Sequence, residues 1–355
     1  MRTSSRWLFT LLSVVSAPLL YLIFAASAHA NTLQSAAPQA MIDALSRANA
    51  AVVGVQVTAA EGARSSERLG SLRQGSGVVI GPDDLVLTIG YLMLEAQQIE
   101  VITQDNKVIP ASAVAYDLAT GFGLLKPLLP LPGISPAPLG STQDLQAGEL
   151  LMAVTGASTD GDEGEVNMAL LVSKRAFSGN WEYHLDTALF TSPPIMSGNG
   201  HHSGAALFNQ HGELMGIGSL FVMDVMGQNR RRPGNMFVPV DLLKPILAEL
   251  QQSGSSQLSH RPWLGLTSSD EEGRVQILRV SEDSPAALAG LAAGDVVLAV
   301  DDSTVTSLES FYKKLWARAA PDAEVKLTVL QGAEIKTIVL RAQDRMLTLK
   351  KASGI

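Results

Sequence analysis

The sequence predicts a mainly β protein with two folded domains behind an export leader. Three observations carry that expectation. Short runs of alternating apolar residues recur from about residue 52 to 238, each closed by turn residues. A polar stretch of small residues, Gln251 to Gln257, then interrupts the pattern as a linker would. The first thirty residues have a basic start, an apolar middle and a small-residue end.

Composition bounds the rest. At 355 residues the chain has room for two or three domains of about 150 residues each. It is 46% hydrophobic and 17% charged, which excludes a disordered or coiled-coil protein. Cysteine is absent, so disulfides, thiolate zinc sites, a cysteine nucleophile and a lipidated N-terminal cysteine are all excluded. The net charge is −8 and no long basic run occurs, so no nucleic-acid partner is expected.

Arg2 and Arg6 precede the apolar stretch Trp7 to Phe24, and Ala28-His29-Ala30 supplies a cleavage site. Residues 1–30 are read as a signal peptide, interrupted by Pro18, whose removal leaves a chain of charge −10. If the segment is retained instead, it anchors the protein in the inner membrane, facing the periplasm. Residues 31–50 follow as a helical segment, with Met41, Ile42, Leu45 and Ala48 at helical spacing. In the first domain, 51–250, Val53, Val55 and Val57 alternate as in a half-buried strand, and Glu61 to Gln74 reads as a mobile loop. Strand-like runs follow at Gly77–Ile80, Leu85–Thr88, Ile99–Thr103, Gly123–Leu125, Leu150–Val154, Met168–Val172, Glu182–Leu185, Ala205–Phe208, Leu214–Ser219 and Asn235–Val238. So many short strands point to a barrel or sandwich. Asp241 to Gln252 reads as a helix capped by Asp241. A linker at 251–260, a second domain at 261–345 and a tail at 346–355 complete the division.

Three passages in the first domain carry a resemblance. Gln74-Gly75-Ser76-Gly77-Val78-Val79-Ile80 with Val86-Leu87-Thr88, Ala115-Tyr116-Asp117 through Lys126, and His202-Ser203-Gly204-Ala205-Ala206-Leu207-Phe208-Asn209 with Gly212 to Ile217 resemble the HtrA/DegP family of trypsin-like periplasmic serine proteases. In the second domain, Ser284-Pro285-Ala286 through Gly294-Asp295-Val296-Val297 is close to a PDZ signature, and Arg261 to Leu266 is similar to its carboxylate-binding loop. Ser284 suits a helix cap and Pro285 the first helical position, where no N–H donor is needed. The resemblance therefore implies a trypsin-like double β-barrel followed by one PDZ domain, itself an α+β, partly open barrel. It also implies a peptide groove with Trp263, Leu264, Gly265, Leu266, Phe311 and Leu315 as binding residues, filled by hydrophobic C-termini or unfolded segments, and a homotrimer.

The catalytic positions depart from the family. Its nucleophile falls on Ser203, but its histidine falls on Tyr91 and its aspartate on Gly121. A phenol with a pKa near ~10 is a poor proton acceptor, and glycine offers no carboxylate to orient a base. His201-His202 stands where the family has Gly-Asn, which puts the oxyanion site in doubt. The expectation is a non-catalytic chaperone, scaffold or regulator without cofactors. The alternative is an active serine endopeptidase of protein quality control in which Ser203 is served by another base, with His184 the best candidate. A third reading makes His201 and His202, with His184 or His211, an imidazole metal site.

Overall fold

The computed structural model describes residues 39–161, 163–196, 202–227, 230–318 and 320–349. The leader expected at residues 1–30 and the metal-ligand role expected of His201 lie outside them. A helix, α1, spans residues 39–50 and leads into two closed six-stranded barrels. The first comprises β1 (Val52–Ala59), a helical turn α2 (Ser66–Leu69), β2 (Leu72–Val79), β3 (Val86–Ile89), β4 (Ala96–Ile102), β5 (Val108–Tyr116) and β6 (Phe122–Pro127). The second comprises β7 (Leu150–Val154), β8 (Val166–Gly179), β9 (Tyr183–Ser192), β10 (Ala206–Phe208), β11 (Leu214–Val222) and β12 (Gly234–Pro239). Every pairing within the barrels is antiparallel, as the alternating pattern requires.

The barrels press together closely. A Cβ on Gly54 would collide with the Ala157 carbonyl, and one on Gly156 with the backbone of Val53. Only glycine allows that approach. A buried cluster running from Val52, Leu87 and Phe122 of the first barrel to Phe190, Phe208 and Ile217 of the second fills the seam.

The smaller domain holds β13 (Pro262–Trp263), β14 (Leu266–Ser269), β15 (Val275–Val280), α4 (Pro285–Leu288), β16 (Val296–Val300), β17 (Ser303–Thr304), α5 (Leu308–Trp316), β18 (Glu324–Gln331), β19 (Glu334–Arg341), β20 (Gln343–Asp344) and α6 (Arg345–Thr348), after α3 (Leu247–Ser253). Its sheet runs β14-β15-β16-β18-β19, and α5 closes the core through Leu308, Phe311, Tyr312 and Leu315. Ser284 accepts from the Ala287 amide and Pro285 stands at the first helical turn of α4, as the sequence predicts.

Three sequence expectations need correction. The helix expected from Asp241 begins only at Leu247, because Pro245 has no N–H and disrupts the preceding turn. Asp241 instead accepts from the amide and hydroxyl of Thr142. The expected loop 61–74 contains α2 and the start of β2. The linker is not a free tether either. Ser256 and Ser259 are fully buried, and their hydroxyls donate to the Asp117 carboxylate at 2.5 Å each. Thr120 donates to the same carboxylate through its amide and hydroxyl, so the linker is pinned to the first barrel.

Candidate functional site

The seam between the barrels brings Tyr91 and Ser203 together. Tyr91 sits on a 3-10 turn, Gly90–Met93, directly after β3. The buried guanidinium of Arg73 braces that turn by donating to the carbonyls of Tyr91, Leu92 and Leu94. Ser203 lies on a turn before β10, and its carbonyl accepts from Ser76 on β2 at 2.8 Å. Gly204 has φ +79°, and a Cβ there would collide with the Ser76 carbonyl, so this tight approach again demands glycine. The Gly204 amide is held by the Gly218 carbonyl at 2.7 Å.

Tyr91 Oη lies 2.7 Å from Ser203 Oγ and 2.7 Å from the Ser219 carbonyl oxygen. Proton counting assigns the roles. A phenol has one proton and a carbonyl can only accept, so the Tyr91 proton goes to Ser219. The Ser203 hydroxyl must then donate to the phenol oxygen. Burial pushes the Tyr91 hydroxyl up to about 12, with the Ser203 bond opposing it, so the phenol keeps its proton at neutral pH. Ser203 is itself 92% shielded from solvent.

Gly121 has φ +84°, and a Cβ there would stand 3.1 Å from the Tyr183 hydroxyl. That hydroxyl is fixed by donating to the Thr120 carbonyl at 2.6 Å. Space beside Gly121 is therefore taken by a buried tyrosine. Gly121 also carries the turn, donating to Asp117 and accepting from Gly90, both at 2.7 Å.

In the small domain, Leu264 and Gly265 direct their amides at one carboxylate, that of Glu182. Leu264 N is 3.1 Å from Glu182 Oε1 and Gly265 N is 3.3 Å from Oε2. Glu182 belongs to the turn between β8 and β9, is 5% exposed, and is pushed up to about 7 by burial. Arg345 and the amides of Leu264, Gly265 and Leu266 pull the other way. Trp263 is half-buried under the Arg345 guanidinium, whereas Leu264 and Leu266 point into the core. Phe311 and Leu315 are fully buried core residues and not the open groove wall expected of them. Tyr312 is the α5 residue that meets the β8–β9 turn, donating to the Gly179 carbonyl at 2.8 Å and accepting from the Glu182 amide at 3.2 Å.

A trypsin-like peptidase domain model matches residues 75–217, and a PDZ domain model matches residues 262–341. The serine endoprotease DegS of Haemophilus influenzae is 29% identical over 269 residues, covering 74% of this chain and 75% of DegS. A probable periplasmic serine endoprotease, DegP-like, of Halomonas elongata is 28% identical over 295 residues, covering 79% of this chain but 58% of that protein. Among solved structures, the HtrA-type protease AlgW with tripeptide superposes at a TM-score of 0.53 with 21% identity, covering 88% of this chain and 97% of AlgW. The chain therefore carries a trypsin-like peptidase domain followed by a PDZ domain, and it is similar to serine endoproteases of the DegS and DegP-like kind. Its trypsin-like barrels and PDZ domain are those the sequence predicts.

Among the described residues, His184, the candidate base, does not reach Ser203. His184 lies on β9, buried, with Nδ1 2.9 Å from Ser178 Oγ and Nε2 3.3 Å from Asp186. Its ring is thus turned to its own hairpin and to α5. His202 is half-buried, and its carbonyl accepts from Ala205. Among the described residues, ligand atoms spaced for a metal occur at His184, Asp186 and Glu309. Lys313 already bridges the two carboxylates there, at 2.6 and 2.8 Å, so an ammonium fills the cation's place. Sequence reading missed Glu182 as a functional residue. A signal was available: an acidic residue at a hairpin turn, flanked by Trp181 and Tyr183, in a chain with a carboxylate-binding loop.

Proposed function

We propose that this HtrA-type chain is an exported, peptide-binding pseudoprotease, in which the PDZ domain recognises hydrophobic C-termini or unfolded segments and the trypsin-like domain does not cut them. The observation that carries the reading is the hydrogen-bond chain from Ser203 through Tyr91 to Ser219. A nucleophilic serine needs a neighbour that accepts its proton. Here the neighbour is a phenol held protonated to about pH 12, and Gly121 provides no carboxylate behind it. Loss of triad members costs about 10⁴ to 10⁶ in turnover, and their effects do not add because they act as a unit.

The periplasmic names of the relatives support a periplasmic location, with the leader expected at residues 1–30 directing export. In α1, Met41 and Ile42 are exposed, which suits a further contact such as the trimer the resemblance implies. A fluorophosphonate probe tests the reading. Labelling of Ser203 is expected to run at least ~10⁴ slower than for an intact triad. Stoichiometric labelling that vanishes in Ser203→Ala would overturn the proposal and make the chain a serine endopeptidase.

A further inference from the structure

The carboxylate loop of the PDZ domain already holds a carboxylate. A PDZ domain captures a peptide with two devices: backbone amides that take the terminal carboxylate, and a strand edge that accepts the peptide as an added strand. Both are engaged here by residues 179–182 of the trypsin-like domain. Glu182 receives the amides of Leu264 and Gly265. On the neighbouring edge, the Ser268 amide of β14 donates to the Asn180 carbonyl at 2.8 Å. From α5, Tyr312 clamps the same turn at Gly179 and Glu182, and Arg261 donates to the Glu182 carbonyl at 3.3 Å.

The conformation of Glu182 adds an independent argument. Its φ is +59°, a region where glycine is the low-cost residue. A tight hairpin turn alone is better made with glycine there. A buried glutamate in that conformation gives up backbone stability and solvation, and its side chain makes its contacts with the carboxylate loop. The reach of β8 fits the same picture. The strand runs 14 residues with two register shifts against β9, and its end reaches α5 through Gly179.

We propose that the β8–β9 turn is an internal ligand of the PDZ domain, with Glu182 standing in for a peptide's terminal carboxylate, so that an external C-terminus enters only by displacing it. This rests on the peptide-binding reading above for its external ligand, but not for the occupancy of the loop. The groove is then competitive between the chain's own turn and its partner.

The test uses the full chain and two variants. Glu182→Gln removes the charge with little change in shape, and Glu182→Gly removes the carboxylate while suiting the positive φ, so one remains informative if the other folds poorly. Hydrogen exchange at Leu264, Gly265 and Ser268, measured without peptide, is expected to accelerate about tenfold or more in Glu182→Gly. A short fluorescent peptide ending in a free Leu-Val carboxylate is expected to bind Glu182→Gly about tenfold more tightly than the unaltered chain, with its C-terminal amide weaker on both. Unchanged exchange in both variants overturns the proposal, as does equal peptide affinity across all three proteins. Faster exchange with no peptide bound by any of them would uphold the internal ligand and reject the peptide-binding reading.

Discussion

Two places in the molecule, the Ser203 turn and the Leu264–Gly265 loop, differ in the side chains set against their backbone. Around Ser203 the described backbone holds the serine turn against β2, through the Ser203 carbonyl and Gly204. The side chains that would move a proton are, on our reading, replaced by Tyr91 and Gly121. Around Leu264 and Gly265 the reverse holds. The amides that recognise a carboxylate are intact and in use, and what is unusual is the ligand. The described backbone at both sites also builds the fold, through Gly204 at one and the Leu264–Gly265 amides at the other. Only side-chain chemistry distinguishes a site that binds from one that reacts.

The largest effect is expected where restoring chemistry meets that fold. Gly121→Asp puts a carboxylate back, but in a positive-φ position and against a Tyr183 hydroxyl already bonded to Thr120. Backbone strain costs about 1–2 kcal/mol, and the crowded, buried carboxylate adds a similar amount. We expect urea unfolding to report a loss of about 2–4 kcal/mol. Combined with Tyr91→His, the variant is expected to gain no fluorophosphonate labelling. Labelling at the rate of an intact triad would show that two side chains alone separate the two sites, and that the wall made by Tyr183 does not matter.

The pH response separates the sites in a second way. Glu182 titrates near 7 in the folded chain against about 4.5 when unfolded, because burial disfavours its charge. The folded state thus binds more protons between these values, and stability falls as pH rises through 7. Arg261, Arg345 and Tyr312 face the same pocket, and the two arginines limit the effect. Between pH 5.5 and 8.5 a loss on the order of 1–3 kcal/mol is expected in the unaltered chain, and most of it disappears in Glu182→Gln. Thermal unfolding across this range reads both. An identical pH slope in the two proteins would remove Glu182 as the cause. Tyr91 contributes nothing over the same range, since its hydroxyl is pushed up to about 12.

Much of this was legible before any coordinates. Alternation at Val53, Val55 and Val57, the glycine spacing of 284–297 and the run around Ser203 pointed to barrels, a PDZ domain and the serine turn, because each depends on local periodicity or on glycine at a fixed place. The absence of histidine at 91 and of aspartate at 121 was equally legible, being a matter of identity. What stayed hidden depends on contacts between distant segments. Ser256 and Ser259 look like linker residues until Asp117 is found between them. Tyr183 looks like a strand residue until its hydroxyl is found at Gly121. Phe311 and Leu315 were expected in a groove, but a helical stripe does not reveal which side is core. Glu182 is the clearest case, since its partners lie more than eighty residues away.

The smallest expected effect probes what Tyr91 does where it stands. Tyr91→Phe removes the oxygen shared by the Ser203 hydroxyl and the Ser219 carbonyl, both in residues under a tenth exposed. One donor and one acceptor then lose their partner, which costs about 1–2 kcal/mol, less than the crowding introduced at Gly121. Peptide affinity is expected to stay within about twofold, since the PDZ loop is held by other groups. If the phenol were a weak base for Ser203, its loss would abolish whatever slow labelling the unaltered chain shows. If it only holds the serine proton in place, its loss leaves that rate unchanged or raises it, because the hydroxyl is released from a partner that could never take its proton. Measured together, unfolding and labelling decide whether Tyr91 is a lock on the Ser203 hydroxyl or a weak base for it, and the proton count favours the lock.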